Sequence, residues 1–135
     1  MPKKSIYIAG KLNEGELSIV ELAKELEHNG HKIIEKWWTK RKLPTPYMDN
    51  YNSSSVAANH MINGAYNCDI FILFTGNNIL GAAVELGVAI ASTIINPDKS
   101  VIIIDQGSSR QSVFYAHHNV TYIDSIDNLK IMDWY

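Results

Sequence analysis

The sequence predicts an α/β fold: a five-stranded parallel sheet with strand order 2-1-3-4-5 and helices on both faces. Short apolar runs rich in β-branched residues alternate with longer stretches of helical period, which is typical of a parallel sheet covered by helices. Five such βα units most often wind as a flavodoxin-like sheet, which has this strand order. A chain of 135 residues has room for one ordinary domain, so we expect a single domain spanning residues 1–135.

The first strand is predicted at residues 5–9. An amphipathic helix follows it, with apolar residues at positions 17, 20, 22, 23 and 26, and Gly30 ends this helix. The other strands are predicted at residues 32–37, 70–74, 101–105 and 120–123, where β-branched and aromatic residues concentrate. Residues 39–55 crowd proline, asparagine and serine together, which predicts a long loop. Further helices are predicted at about residues 55–66, 81–94 and 111–117.

The composition argues against several classes of protein. A net charge of −2, a pI near 6.2 and charges of mixed sign along the chain give no electrostatic footprint for nucleic acid. No stretch is apolar for long enough to span a membrane, and the apolar run after Lys4 is too short for a secretion signal. Cys68 is the only cysteine, which excludes an internal disulfide and a multi-cysteine zinc site. We expect a cytoplasmic protein without a metal.

A ligand site is expected where the chain reverses direction between the first and third strands. In open α/β sheets this switch point opens a crevice at the carboxyl ends of the strands, and ligands bind there. The loops at residues 10–15 and 75–80 border the crevice, so Gly10, Lys11 and Asn77 are candidate substrate contacts. Trp37, at the end of the predicted second strand, could stack on a base, although a core or interface role fits it equally.

Glu85 is the one charged side chain between Ile70 and Pro97. We expect it near the first turn of its helix, where the helix dipole and unpaired backbone N–H groups favour an ionised carboxylate. Gly81, followed by two alanines, would let a ligand approach the backbone there. Glu85 is thus a candidate nucleophile, with a plain dipole-complementing acid as the alternative. The helix face that we expect to pack on the sheet is adjacent to Glu85 around the helix axis. It comprises Leu80, Val84, Gly87, Val88 and Ala91.

Four segments of the chain resemble parts of a known enzyme family. The segment GAAVELGVAIA, at residues 81–91, resembles a box in which that family's glutamate stands in the context E-L-G-x-A. KKSIYIAG, at residues 3–10, resembles its first strand and loop, and INGAYNCDIFILF, at residues 62–74, resembles the approach to its third strand. HHNVTYI, at residues 117–123, resembles a segment that neighbouring subunits present to the site. The family is that of the nucleoside 2-deoxyribosyltransferases, and the resemblance covers most of the chain.

The resemblance implies a nucleoside or nucleotide substrate, a homodimer or higher even oligomer with a site shared between subunits, and no cofactor. Glu85 would attack the anomeric carbon of the sugar, Tyr7 would help to hold Glu85, and Asn119 would face a neighbour's pocket. A carboxylate can trap an oxocarbenium-like centre as a glycosyl ester, which divides one hard step into two. If a second base captures the sugar, the chain is a transferase. If water does, it is an N-glycoside hydrolase, similar to the deoxynucleoside 5′-monophosphate hydrolases of the same superfamily.

The chain departs from the family pattern at two positions, because the transferases usually carry aspartates where this chain has Met61 and Ile79. The first of these aspartates usually handles the base and its proton. Its absence leaves His60, water or a substrate group to donate the proton. A second hypothesis is therefore a nucleotide-binding or sensing domain of the same fold without turnover. A third is a flavodoxin-like protein of unrelated purpose.

The segment QGSSRQSVF, at residues 106–114, bears on the class of substrate. Ser109, Arg110 and Ser112, together with Ser108, could hold a phosphate through hydroxyls and a guanidinium, and Lys11 could add a second positive charge. The segment resembles the serine- and arginine-bearing stretch of the nucleotide hydrolases. The alternative is a polar turn with a helix cap at Ser109. A nucleotide and a nucleoside are both open as substrates at this point.

Overall fold

Five parallel strands form one sheet in the order β2-β1-β3-β4-β5, which confirms the predicted topology. The computed structural model describes residues 3–11, 16–77, 79–107 and 111–135. Its strands are β1 (Ser5–Ala9), β2 (Lys32–Ile33), β3 (Ile70–Phe74), β4 (Ser100–Ile104) and β5 (Val120–Ile123). The three central strands are almost entirely buried, because helices cover both of their faces. This explains why they are read in the sequence as continuous apolar runs.

The helices are α1 (Glu16–His28), α2 (Tyr51–Asn67), α3 (Leu80–Ile95) and the short α4 (Ile126–Lys130). Three 3₁₀ helices lie at Trp37–Thr39, Met48–Asn50 and Val113–Ala116. Two predictions need correction here. The loop predicted over residues 39–55 ends early, because α2 begins at Tyr51. The helix predicted over residues 111–117 is only the 3₁₀ helix at Val113–Ala116, and α4 was not predicted. No helix in the described ranges is long and apolar enough to cross a membrane.

The core is divided by the sheet into two clusters, because successive side chains of a strand point to opposite faces. In β1, Ile6 and Ile8 belong to the cluster under α1 and α4. Tyr7 and Ala9 belong to the other cluster, under α2 and α3. Tyr7 lies opposite Phe71 in the register of β1 and β3. The strand alternation therefore places Tyr7 on the same side of the sheet as α3, the helix that carries the isolated glutamate.

The second strand is shorter than predicted, because β2 pairs with β1 only at Lys32 and Ile33. Two residues later the backbone of Glu35 adopts a positive φ of 53° and turns the chain out of the sheet. The indole N–H of Trp37 then donates to the carbonyl of Ile8 at 2.8 Å. That carbonyl is the next acceptor along the free edge of β1, so a side chain replaces the backbone donor that a longer β2 would supply. Trp37 accordingly lies in a 3₁₀ helix and not in a strand.

The buried face of α3 is not the face that the sequence predicts. The residues that pack toward the sheet are Ala82, Leu86, Ala89, Ile90 and Thr93. The predicted packing face is instead largely exposed at Leu80, Val84, Gly87 and Ala91, and Val88 is half-buried. The prediction is wrong because α3 is apolar on all sides, so its periodicity does not distinguish an inner from an outer face.

The carboxyl end of α2 is held by Lys99, a buried lysine just before β4. Helix α2 contains no Asp, Glu, Lys or Arg of its own. The Lys99 ammonium donates to the carbonyl oxygens of Ala65 and Tyr66, the latter at 3.0 Å. These carbonyls belong to the last turn of the helix, where the macrodipole favours a positive charge. Burial lowers the pKa of Lys99, and the neighbouring Cys68 and Asp69 oppose this effect.

Replacing Lys99 by methionine should destabilise the protein, because the apolar stem is kept while two helix-end carbonyls lose their donor. We expect the free energy of unfolding to fall by about 1–3 kcal/mol, measured by urea denaturation. Lys24→Met, at an exposed position of α1, is the matched control and should change stability by less than about 0.5 kcal/mol. Equal stability of the two variants would contradict the capping role.

Candidate functional site

The site is built at the carboxyl ends of β1 and β3, where the fold predicts a ligand. Gly10 follows β1 directly and has a φ of +149°, a conformation that side chains of L-residues disfavour. A Cβ on Gly10 would also lie 3.1 Å from Cβ of Phe74 and 3.3 Å from Cδ1 of Ile19. The loop after β1 therefore passes close to the end of β3, in a backbone conformation that favours glycine. The next residue, Lys11, is exposed at the rim.

Tyr7 and Glu85 are joined by a hydrogen bond from the tyrosine hydroxyl to Oε2 of the glutamate. Tyr7 is completely buried, and its ring is stacked on that of Phe71 with centroids 5.6 Å apart and planes within 7°. Glu85 is partly buried on α3. The structure thus brings together the two residues that the resemblance named as a pair. The hydroxyl group is directed at the carboxylate from the middle of the sheet.

Burial raises the pKa of the Glu85 carboxyl from 4.5 to about 7. In the described part of the chain, Glu85 takes part in no salt bridge. The hydrogen bond from Tyr7 favours the charged form and so opposes the effect of burial. A carboxyl with a pKa of about 7 exists in both protonation states near neutral pH. Such a group is suited to act as a nucleophile or as a proton donor.

The prediction that the helix dipole and unpaired backbone N–H groups stabilise the charge of Glu85 is wrong. Helix α3 begins at Leu80, so Glu85 is its sixth residue and lies in the second turn. The influence of the dipole and of unpaired N–H groups is confined to the first turn. The alternative reading of Glu85 as a dipole-complementing acid loses its basis for the same reason. A single neutral donor, Tyr7, takes the place of the helix end.

Helix α2, on the same face of the sheet as α3, contributes Gly64 to the site, and sequence reasoning missed this residue. A Cβ on Gly64 would lie 2.8 and 2.9 Å from two atoms of the Tyr7 ring. The signal in the sequence is a glycine in the interior of a predicted helix, which costs about 1 kcal/mol relative to alanine and so needs a reason. The reason here is the close approach of the helix backbone to the tyrosine ring.

The positions where the family carries aspartates are apolar in the structure as well. Met61 is half-buried on α2, and Ile79 packs against the cluster that contains Tyr7. His60 is half-exposed, and its Nδ1 lies 4.0 Å from Oε1 of Glu35. Glu35 is bound more closely by Lys40, whose ammonium lies 2.7 Å from the other carboxylate oxygen. Glu35, Lys40 and His60 therefore form a polar cluster beside Gly64 that is separate from Glu85.

Other predicted substrate contacts lie around the crevice or away from it. Asn77 and Gly81 are exposed on the loop and helix that follow β3. The hydroxyl of Ser112 accepts a hydrogen bond from the backbone N–H of Phe114 at 3.2 Å and caps a 3₁₀ helix. Ser109 and Arg110 lie outside the described residues, so their proposed phosphate contacts stay predictions.

Asn119 lies at the amino end of β5, remote from Glu85 of the same chain. Its side-chain amide donates to the hydroxyl of Thr93 at 2.9 Å. Thr93 follows Glu85 by eight residues, which corresponds to about 12 Å along α3. The role predicted for Asn119, facing the pocket of a neighbouring subunit, stays a prediction.

The lone cysteine and the histidines supply no competing site. Cys68 is buried, and burial raises the pKa of its thiol to about 11, so it fills space as predicted and is not a reactive thiolate. Across the residues that the structure describes, no group of three or more His, Cys, Asp or Glu side chains is arranged to hold a metal ion. Glu85 is therefore the strongest candidate for chemistry in the described chain.

The fold is shared with solved enzyme structures. A CMP N-glycosidase from Clostridium botulinum, BcmB, superposes with a TM-score of 0.66 and 19% identity, covering 95% of this chain and 100% of that chain. A 2-deoxyribosyltransferase from Bacillus psychrosaccharolyticus superposes with a TM-score of 0.68 and 20% identity, covering 96% and 93%. No protein-family model matches the sequence, and no curated protein is significantly similar to it. At these identities the likeness establishes the fold.

Glu85→Gln should stabilise the protein at high pH. The pKa of Glu85 is raised by folding from 4.5 to about 7, so the folded state binds this proton more tightly than the unfolded state. The contribution of the group to stability is fully present below pH 4.5 and is lost as the pH rises through 7. Glutamine stays neutral, so we expect the variant to be more stable than the wild type by up to about 3 kcal/mol at pH 8 and by much less at pH 4.

Urea denaturation at both pH values measures this difference. The matched control is Glu21→Gln, at an exposed position of α1, which should show no such pH-dependent gain. A Glu85→Gln variant that is equally destabilised at pH 4 and pH 8 would show that burial does not disfavour the carboxylate.

Proposed function

We propose that this protein cleaves or transfers the N-glycosidic bond of nucleosides, deoxynucleosides or their 5′-monophosphates through a covalent intermediate on Glu85. The observation that carries the proposal is the pairing of a partly buried carboxyl with a buried tyrosine hydroxyl beside the switch-point crevice. A pKa near 7 keeps a useful fraction of the carboxyl ionised at neutral pH, and no described cation neutralises it.

The proposed reaction has two steps. The Glu85 carboxylate bonds to C1′ of the sugar while the bond from C1′ to the base nitrogen breaks, and the base departs with the bonding electrons and takes up a proton. Water or a second base then bonds to C1′ and gives up a proton to solvent, while the bond from C1′ to the Glu85 oxygen breaks and its electrons return to the carboxylate. Because Tyr7 engages Oε2, the other oxygen of Glu85 is available to attack. The tyrosine also holds the carboxylate at one orientation, which reduces the entropy cost of the attack.

The comparisons support this chemistry on the same fold. One of the two similar structures is named as a CMP N-glycosidase and the other as a 2-deoxyribosyltransferase. The first name describes cleavage of an N-glycosidic bond, and the second describes transfer of a 2-deoxyribosyl group. Lys11, exposed beside Gly10, supports a substrate with a phosphate. The proton for the leaving base would come from water, from the substrate or from His60.

A second candidate function is a nucleotide-binding domain without turnover. The observation that favours it is the apolar character of Met61 and Ile79, which leaves the described site without a dedicated acid for the leaving base. Such a domain would bind a nucleotide tightly and release no base. Glu85→Gln would then change affinity only modestly.

Incubation with a panel of ribo- and deoxyribonucleosides and their 5′-monophosphates, CMP included, tests the enzymatic proposal. We expect release of free base, measured by liquid chromatography, and a loss of at least about 1,000-fold in Glu85→Ala, because the nucleophile is removed. Mass spectrometry of the protein mixed with substrate should show a sugar adduct on Glu85. Glu21→Ala, on the opposite face of the sheet, is the control and should keep full activity. Absence of base release from every compound would refute the proposal.

We also propose that the chain forms a homodimer through the outer face of α2 and α3. Leu80, Val84, Ala91 and Ile94 are exposed on α3, and neither helix presents a Lys, Arg or Asp there. A helix that is apolar on all sides is normally buried, so this face is suited to pack against the same face of a second copy. No repulsion between like charges would oppose that contact. In such a dimer, Asn119 of one subunit could face the pocket that contains Glu85 of the other subunit.

Ala91→Arg should weaken the dimer, because it places a charge in the middle of the apolar face. We expect light scattering to give twice the chain mass of 15.2 kDa for the wild type and a concentration-dependent shift toward a single chain for the variant. Glu21→Arg, at an exposed position of α1 on the other side of the sheet, is the control and should leave the mass unchanged. A wild-type protein that is monomeric at all concentrations would exclude the dimer.

A further inference from the structure

Gly64 is in direct contact range of the tyrosine that binds Glu85. It is buried on α2, and a Cβ built on it would lie 2.8 Å from Cδ2 and 2.9 Å from Cε2 of the Tyr7 ring. Real Cβ atoms essentially never approach other heavy atoms so closely, so an added methyl requires a neighbour to move. Glu35 Cγ lies 3.4 Å from the same point, so the methyl would be enclosed by two residues.

The atoms that would have to move belong to a ring that is fixed by its surroundings. Tyr7 is fully buried, and it is stacked on Phe71, its partner in the β1–β3 register. A ring in a close-packed interior is not free to swing away as the end of an exposed side chain is. A methyl on Gly64 would therefore displace the ring, and the hydroxyl would move with it.

We propose that Gly64 is a positioning residue: by lacking a Cβ, it lets the Tyr7 ring lie where its hydroxyl group reaches the Glu85 carboxylate. The role rests on Glu85 being the nucleophile proposed above. It gives a reason for a glycine in the last turn of a 17-residue helix, where glycine has a cost in helix propensity. Gly64 touches no substrate in this scheme and acts only through Tyr7.

The expected signature is a change in the titration of Glu85. The Tyr7 hydroxyl favours the ionised carboxylate, so displacing it should raise the pKa of Glu85 further. The charged and titratable side chains that share a pocket with Gly64 are Lys32, Glu35 and His60. Glu35 pairs with Lys40 and lies near His60, and none of the ion pairs in the described residues includes Glu85. A change at Gly64 should therefore reach Glu85 through the tyrosine.

The test compares Gly64→Ala, Tyr7→Phe and the double variant. The Glu85 carboxyl is followed by carbon NMR of protein labelled at the glutamate carboxyl, with Glu85→Gln identifying its signal. We expect each single change to raise the titration midpoint of Glu85 by about one unit, and the double variant to show no further rise. In the assay of base release, the acid limb of the pH profile should move by the same amount.

Gly87→Ala is the matched control, because it adds the same methyl to a helix glycine only two residues from Glu85. A Cβ at Gly87 meets nothing within 4 Å in its own chain, so the midpoint should stay at the wild-type value. A Gly64→Ala variant that loses thermal stability but keeps the wild-type midpoint would overturn the positioning role, and so would additive shifts in the double variant. The NMR titration needs no turnover, so its outcome is independent of whether any base is released.

A fallback experiment covers the case in which Gly64→Ala does not fold. Combining it with Tyr7→Val removes the ring atoms that the new methyl would meet and introduces a β-branched residue suited to the strand. We expect the double variant to fold, shown by a cooperative thermal transition. Failure of Gly64→Ala and of the double variant, with Tyr7→Val folding alone, would show that the glycine is needed for contacts other than Tyr7 and would overturn the proposal.

Discussion

The hydrogen bond between Tyr7 and Glu85 joins the central region of the sheet to the helix that follows the third strand, and it does so where side chains are largely removed from water. Burial of a carboxyl disfavours its charge, and a single neutral donor compensates only part of that cost. Burial raises the pKa of the Glu85 carboxyl to about 7. The remaining features of the site serve this pair: strand alternation sets the side of Tyr7, Phe71 supports its ring, and Gly64 leaves room for it.

The order and direction of the strands could be predicted because the three central strands are buried on both faces and so form continuous apolar runs. The end of β2 could not be predicted. Residues 34–37 have strand-like composition, but a left-handed Glu35 and an indole bond from Trp37 to Ile8 end the pairing, and both depend on tertiary contacts. The orientation of α3 was also beyond the sequence, because an apolar pattern without a polar face carries no information about which side is buried.

Some residues of the candidate site could be predicted from the sequence, and others could not. Glu85 could be found from its isolation among apolar residues, and Tyr7 from the resemblance of its strand to a known family. The cause of the raised pKa of Glu85 could not, since it is burial, which depends on how α3 packs in the folded chain. Gly64 could be noticed as a glycine in a helix, but its meaning lies in distances to a residue 57 positions earlier in the chain.

The lysine that caps α2 has a consequence for how the chain folds. The acceptor carbonyl of Ala65 precedes Lys99 by 34 residues, and this interval contains all of β3 and α3. The helix has no charged residue of its own near that end, so its last turn gains its strongest partner only after the chain has returned to begin β4. Completion of α2 is therefore coupled to a non-local strand pairing, and an isolated peptide of residues 51–67 lacks the interaction that finishes the helix.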